Sequence, residues 1–308
     1  MMLFDPPRDL DTTVFARIPD KFRIKGRPSS WVKVQQGGRE TDCFLEGPSF
    51  DRAGNLYVVD VAYGRVFRIS PDGGDVEPVT EYDGEPNGLK IHKDGRIFIA
   101  DYKNGIMMLD PDSGEVTPYL TRNRLEPFKG VNDLVFASNG DLFFTDQGLT
   151  GWHDPTGRLY RYTTEGRLDC LIDTVPSPNG LVLNLDENLC YLNVTRANAV
   201  WRVPLLPDGG TFKVGTFLQL SGGHGGPDGL AIDEAGNLAV AHVGMGSVWV
   251  FSPLGEPLYR IRSCEGLATT NIAYGGPERR TLFITESSSG CILQCELPTP
   301  GRFMYSHM

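Results

Sequence analysis

TDCFLEGPSFDRAGNLYVVDV, residues 41–61, holds two apolar runs around a Gly-containing turn, with Glu46 opening the first and Asp60 closing the second. Two acids at matching ends of a hairpin invite a search for the same pattern elsewhere. Six segments repeat the second run: GNLYVVD, GRIFIAD, GDLFFTD, ENLCYLN, GNLAVAH and RTLFITE. Their second residues, Asn55, Arg96, Asp141, Asn188, Asn237 and Thr281, recur every 41–49 positions. That period is the length of one four-stranded propeller blade. Each run follows a short strand across a tight turn, as in GLKIHKDG and GLAIDEAG, and precedes a third such as RVFRIS or SVWVFS.

The spacing therefore predicts an all-β fold, a six-bladed β-propeller of four-stranded antiparallel sheets. It fills residues 1–308 as one domain, with a closing segment over about 1–40, blades over about 41–297 and a short C-terminal tail. TTVFARIP, residues 12–19, is a strand without a nearby hairpin partner; it is expected to pair with the last blade and close the ring, removing an exposed edge.

Counting back nine residues from each anchor, and ten for the longer turn GGPERR, lands on Glu46, Asn87, Asn132, Asn179, Asp228 and Asn271. All carry a side-chain oxygen. Because innermost strands line a propeller's channel, six such groups in one phase are expected to converge on the axis. Counting five forward gives a second polar ring: Asp60, Asp101, Asp146, Asn193, His242 and Glu286. Both rings fall at the same end, with Glu46 and Asp60 facing each other across one hairpin. Unpartnered buried polar groups cost roughly 1–3 kcal/mol each. Hydrogen bonds between blades are expected to satisfy the second ring, with Asp60, Asp146 and His242 as candidates for supporting the first. Carboxylate and amide oxygens without Cys or His suit a hard cation on the inner ring, calcium or magnesium.

Composition narrows the function classes. The net charge of −10 leaves no basic stripe for phosphates, which argues against nucleic-acid binding. No run approaches a membrane span and the N-terminus lacks a secretory pattern, so the expectation is a cytoplasmic protein without membrane association. The 37 glycines and 22 prolines fit a turn-rich β fold. The six cysteines are scattered and read as reduced thiols.

The fragments EGPSF, VNDLVFASNGDLFFTD, PNGLVLN, GPDGLAIDEAGNL and TNIAYGGPERRTLFIT, in this order, resemble the senescence marker protein, gluconolactonase and luciferin-regenerating-enzyme family, to which the diisopropyl fluorophosphatases are related. The resemblance spans about residues 40–297. It implies a six-bladed propeller, one axial divalent metal and hydrolysis of lactones or organophosphates. It further implies Glu46, Asn179 and Asp228 as metal ligands, with Asn132 as a ligand or close neighbour. The metal expected is calcium, with magnesium, manganese, zinc and iron as alternatives; no organic cofactor is implied. Members acting on sugar-acid lactones can carry an Arg two residues before the motif Asn, where this chain has Gly130.

Asp228 is the expected general base for water, with direct nucleophilic attack as the alternative. Asn132 also lies where substrate binds, and Asn87 and Asn271 are candidate substrate contacts. The connection after Asp146 runs thirteen residues to Leu159 against 5–7 in the other repeats, which makes Trp152 and His153 candidate pocket walls. His224, in SGGHGGPDGL, enters from the same end. The expected function is opening of a small lactone to its hydroxy acid, with a small-molecule lactone as partner. Phosphotriester hydrolysis and a non-enzymatic calcium-stabilised propeller are the rival readings.

Overall fold

The computed structural model describes residues 4–308. The innermost strands are Leu45–Phe50, Pro86–Ile91, Val131–Phe136, Pro178–Leu183, Gly226–Ile232 and Thr269–Gly275. Each touches the next, and Thr269–Gly275 returns to Leu45–Phe50, so the six sheets close into a ring. The sheets are antiparallel hairpin stacks read outward in chain order. The last blade contributes only three strands of its own, and Thr13–Arg17 pairs antiparallel with Cys291–Glu296 to supply the fourth. The predicted closing strand is thus in place.

The N-terminal segment does more than close the ring. Arg8–Asp11 adds a parallel fifth strand to the edge of the fifth blade, against Tyr259–Arg262. A short helix, Ser30–Gln35, then crosses toward the axis; Ser29 caps it by accepting from the Val32 amide at 3.2 Å. Gly37 and Gly38, both at positive φ, end it. A helix of this length carries too little periodicity to be seen in the sequence.

The core consists of six apolar wedges, each between neighbouring blades. Between the second and third lie Phe98, Ile106, Leu134 and Phe144; between the last and first lie Leu45, Val58, Phe67 and Phe283. Because a blade is covered on both faces, its second strand reads as a continuous apolar run rather than an alternating one. At about 1.5–3 kcal/mol per buried large side chain, these wedges fix the rotation of each blade about the axis.

At the far end of the channel, the C-terminal tail packs across the strand ends. Tyr305 stacks on Phe136 at 5.1 Å, and Arg302 donates to the Leu183 carbonyl at 3.2 Å. No helix among the described residues is long and apolar enough to cross a membrane. All six cysteines are free, with Cys170 and Cys264 exposed.

Two expectations about the second ring need correction. Asp60 pairs in register with Leu45, and Glu46 with Val59, so the two acids are offset by one position and do not face each other. Adjacent strand positions point to opposite faces, which separates their side chains. Most second-ring groups also bond within their own blade rather than between blades, capping the backbone that enters its inner strand. Asp60 accepts from the Phe44 amide at 2.8 Å, Asp101 from Glu85 at 3.2 Å, Asp146 from Gly130 at 2.9 Å and Glu286 from Ala268 at 2.8 Å. Arg65 completes Asp60 through Nε at 2.9 Å. Asn193 alone follows the expectation, donating to the Asp228 carbonyl of the next blade at 2.6 Å.

Candidate functional site

Every inner strand breaks register at its ring residue: the shifts fall at Glu46/Ser49, Pro86/Gly88, Val131/Leu134, Pro178/Leu181, Pro227/Leu230 and Thr269/Ile272. A bulge releases a residue from the ladder and re-aims it, a device common beside active sites. Here it is repeated six times around one axis.

Glycines let these bulged segments approach. A Cβ at Gly180 would lie 2.2 Å from the Asp228 carbonyl oxygen, and one at Gly229 would lie 2.2 Å from Asn271 Oδ1. The residue after the ring position is therefore Gly in four blades (47, 88, 180 and 229).

Above the ring opens a cavity of about 520 Å³. Five inner-ring residues, Glu46, Asn87, Asn132, Asn179 and Asp228, line it together with His153 and His224. Asn271 lies below the lining, donating to Asp133 Oδ2 at 3.5 Å while its own Oδ1 accepts from Ile272. His242, Asp60 and Asp146 also lie outside the lining. His242 is fully buried, where burial holds its imidazole below the usual range. Trp152 does not wall the cavity: it is 69% exposed, because the loop around it folds back through a Gly151–Asp154 bridge.

The electrostatics of the floor are unusual. Glu46 is 3% exposed and Asp228 9%. Burial raises both carboxyls above the ordinary range, and the charge of Glu46 raises Asp228 further. The Asn179 amide beside it opposes this by favouring the charged carboxylate. A third acid, Asp133, is buried behind Asn132 and raised by the same desolvation; its charge acts on both others. Asn132 donates through Nδ2 to Gln147 Oε1 at 3.1 Å, and its Oδ1 is buried with no hydrogen-bond partner among the described residues.

These features fit a hard cation. Buried carboxylates crowd one another, an amide oxygen stands unpaired, and no thiol or imidazole is in the floor. Among the described residues no three His, Cys, Asp or Glu side chains form a ready cluster, so such a site depends on amide oxygens as well as acids.

The sequence reading missed several lining residues. Trp31, Gln35 and Arg39 come from the N-terminal segment, and Phe44 packs on Trp31 at 4.6 Å between ring centroids. Tyr102 occupies the space above Gly130, where a Cβ would come within 2.7 Å of its ring, and its hydroxyl donates to the Gly148 carbonyl. Gly130, noted in the sequence as a missing Arg, is thus a seat for Tyr102. Gln147, Thr150 and Ser177 form a polar strap: Gln147 Nε2 donates to Ser177 Oγ at 3.1 Å, and the Ser177 amide donates to Thr150 Oγ1 at 3.1 Å. Arg196 lies just beyond the second ring.

A family profile described as SMP-30/Gluconolactonase/LRE-like region matches residues 44–288. A lactonase drp35 from Staphylococcus aureus is 32% identical over 240 residues, covering 75% of this chain and 72% of that one. Among solved structures, a calcium-binding protein, regucalcin, from Agrobacterium tumefaciens superposes with a TM-score of 0.78 at 21% identity, over 98% of this chain and 100% of that one. A gluconolactonase from Xanthomonas campestris gives 0.73 at 22% identity, over 93% and 98%. At those identities the structural likeness speaks for the fold alone, whereas the profile covers most of the sequence. The chain belongs to the SMP-30, gluconolactonase and LRE-like family.

Proposed function

We propose that this protein is a metal-dependent hydrolase that opens a small lactone to its hydroxy acid. One observation carries the reading: two buried, mutually repelling carboxyls, Glu46 and Asp228, and an unpaired amide oxygen on Asn132 share the floor of one cavity. The 32%-identical lactonase drp35 and the family profile support the reaction class.

Glu46, Asn132, Asn179 and Asp228 would hold a divalent cation, with calcium first because every donor is a hard oxygen. Once bound, the cation would polarise the acyl carbonyl and stabilise the oxyanion. Asp228 takes the proton of the attacking water as general base. Asn179, beside Asp228 in the cavity floor, favours the charged form of that carboxyl. Gln147 orients the Asn132 amide so that its oxygen, not its nitrogen, is turned to the site. Trp31, Phe44 and Tyr102 provide apolar walls that limit water around the reacting ester.

The test is a panel of aldonolactones, simple γ- and δ-lactones, aromatic esters and phosphotriesters, followed by pH indicator before and after chelation. Lactone opening above the spontaneous rate, lost on chelation and restored by calcium, is expected. Turnover of phosphotriesters alone, or of none of these compounds, would overturn the proposal.

A further inference from the structure

Resting on the hydrolase reading, we propose that the substrate is a lactone bearing a second, anionic group, a carboxylate, received by Arg196 with Arg39. Both residues are exposed and line the cavity above the acidic floor. Most arginines of this chain are spoken for: Arg65 pairs with Asp60, Arg158 with Glu126, Arg161 with Asp141 and Arg302 with Glu187. Arg39 and Arg196 have no acidic partner among the described residues.

Arg196 is placed by backbone bolts rather than by an ion pair. It sits on the single 3-10 turn Thr195–Ala197, closed by Asn198 in the left-handed region. Thr195 Oγ1 donates to the Pro227 carbonyl at 2.8 Å, fastening this turn to the strand that carries Asp228. The two backbones also approach closely: a Cβ on Gly226 would lie 2.2 Å from the Thr195 carbonyl oxygen. Arg39 comes from the segment between the N-terminal helix and the first blade.

Charge counting gives the class of ligand. Glu46 and Asp228 beside one divalent cation leave no net charge, Asp133 buried behind Asn132 adds one negative charge, and the two guanidiniums turn the sum positive. A positive cavity in a chain of net charge −10 attracts anions against the field of the remaining surface. The planar fork of Arg suits a carboxylate, which it can receive with two parallel hydrogen bonds. In the reaction, water oxygen bonds to the acyl carbon and the acyl–oxygen bond of the ring breaks. The ring oxygen takes one proton, the new carboxylic acid releases one, and the product is a hydroxy dicarboxylate.

The experiment compares the γ-lactone of α-hydroxyglutarate with its neutral primary amide, using the full-length, calcium-loaded protein and the variant Arg196→Met. The wild type is expected to prefer the anion in kcat/KM, with the preference falling as salt rises. In Arg196→Met the anion-to-neutral ratio is expected to fall roughly 10–100-fold, the worth of hydrogen bonds to a charged group. Calorimetric binding of α-hydroxyglutarate, weakened by the same substitution, reads the contact without turnover. Neutral lactones opened as well as the anion, with an unchanged ratio in the variant, would overturn the anion site and leave the hydrolase. Dicarboxylate binding through Arg196 without turnover of any lactone would remove the hydrolase and leave the anion site.

Discussion

Asn132 donates to Gln147 across 3.1 Å, and this one bond decides which end of the Asn132 amide meets the cavity. With the nitrogen occupied, the unpaired Oδ1 is the atom left to bind. Replacing Gln147 by Leu removes the acceptor and lets the amide turn. Supporting contacts of this kind are typically worth ~10–100-fold in metal affinity. Calcium titration of Gln147→Leu by calorimetry is expected to show a loss in that range with the melting temperature of the chelated protein nearly unchanged. Affinity equal to wild type would mean that Asn132 does not bind through Oδ1.

Asp228→Asn separates holding a metal from moving a proton. An amide keeps an oxygen donor on the same bulge but cannot accept the proton of water at neutral pH. Calcium binding is expected to persist while kcat falls about 10²–10⁴-fold, the usual worth of a general base. A variant as active as wild type would take the role of base away from Asp228.

The raised carboxyls make the stability of the chelated protein depend on pH in an unusual direction. Glu46 moves from an ordinary 4.5 to about 8 in the fold, and Asp133 and Asp228 are pushed the same way. Between those values the folded state binds more protons than the unfolded chain, so this contribution is present below the unfolded pKa and is lost as pH rises through the folded one. The melting temperature in chelator is expected to decline from about pH 4.5 toward about pH 8 relative to a Glu46→Gln control. Saturating calcium is expected to lift the high-pH end most. A chelated protein that gains stability over this window relative to that control would show that these acids are balanced by something other than protons or a metal.

Gly180 links packing to the site. Alanine there would drive its Cβ to 2.2 Å from the Asp228 carbonyl, a backbone atom that can yield only if the whole bulge shifts. Overpacking of this kind costs about 1–3 kcal/mol. Gly180→Ala is expected to lower both the denaturant midpoint and calcium affinity, whereas Gly166→Ala, at an exposed turn, is expected to lower only the first. Unchanged calcium binding in Gly180→Ala would uncouple this approach from the site.

The propeller was legible because its repeat places one oxygen-bearing residue per blade at a nearly constant count from an apolar strand. Glu46, Asn87, Asn132, Asn179 and Asp228 reach the same cavity for that reason. Asp133 was not found: counting one residue per blade assumes a straight strand, and the bulge between Val131 and Leu134 leaves Asn132 on the cavity floor with Asp133 buried behind it. Its signal was present, since Asp stands where four other blades have Gly. Asp60 was misplaced by one register step for want of the same bulge. Trp31, Arg39 and Arg196 come from a short helix and from connections, where neither period nor alternation marks a residue as inward. Trp152 was assigned to the wall from loop length alone, and length does not say which way a loop folds.

A crystal structure grown in calcium, with the ion located by anomalous scattering, tests most directly whether the blades gather their oxygens around one cation. One ion per chain is expected on the axis, with an oxygen of each of Glu46, Asn179 and Asp228 at about 2.3–2.6 Å. Saturating calcium that leaves this point empty, or an ion bound elsewhere while these three side chains point apart, would contradict it.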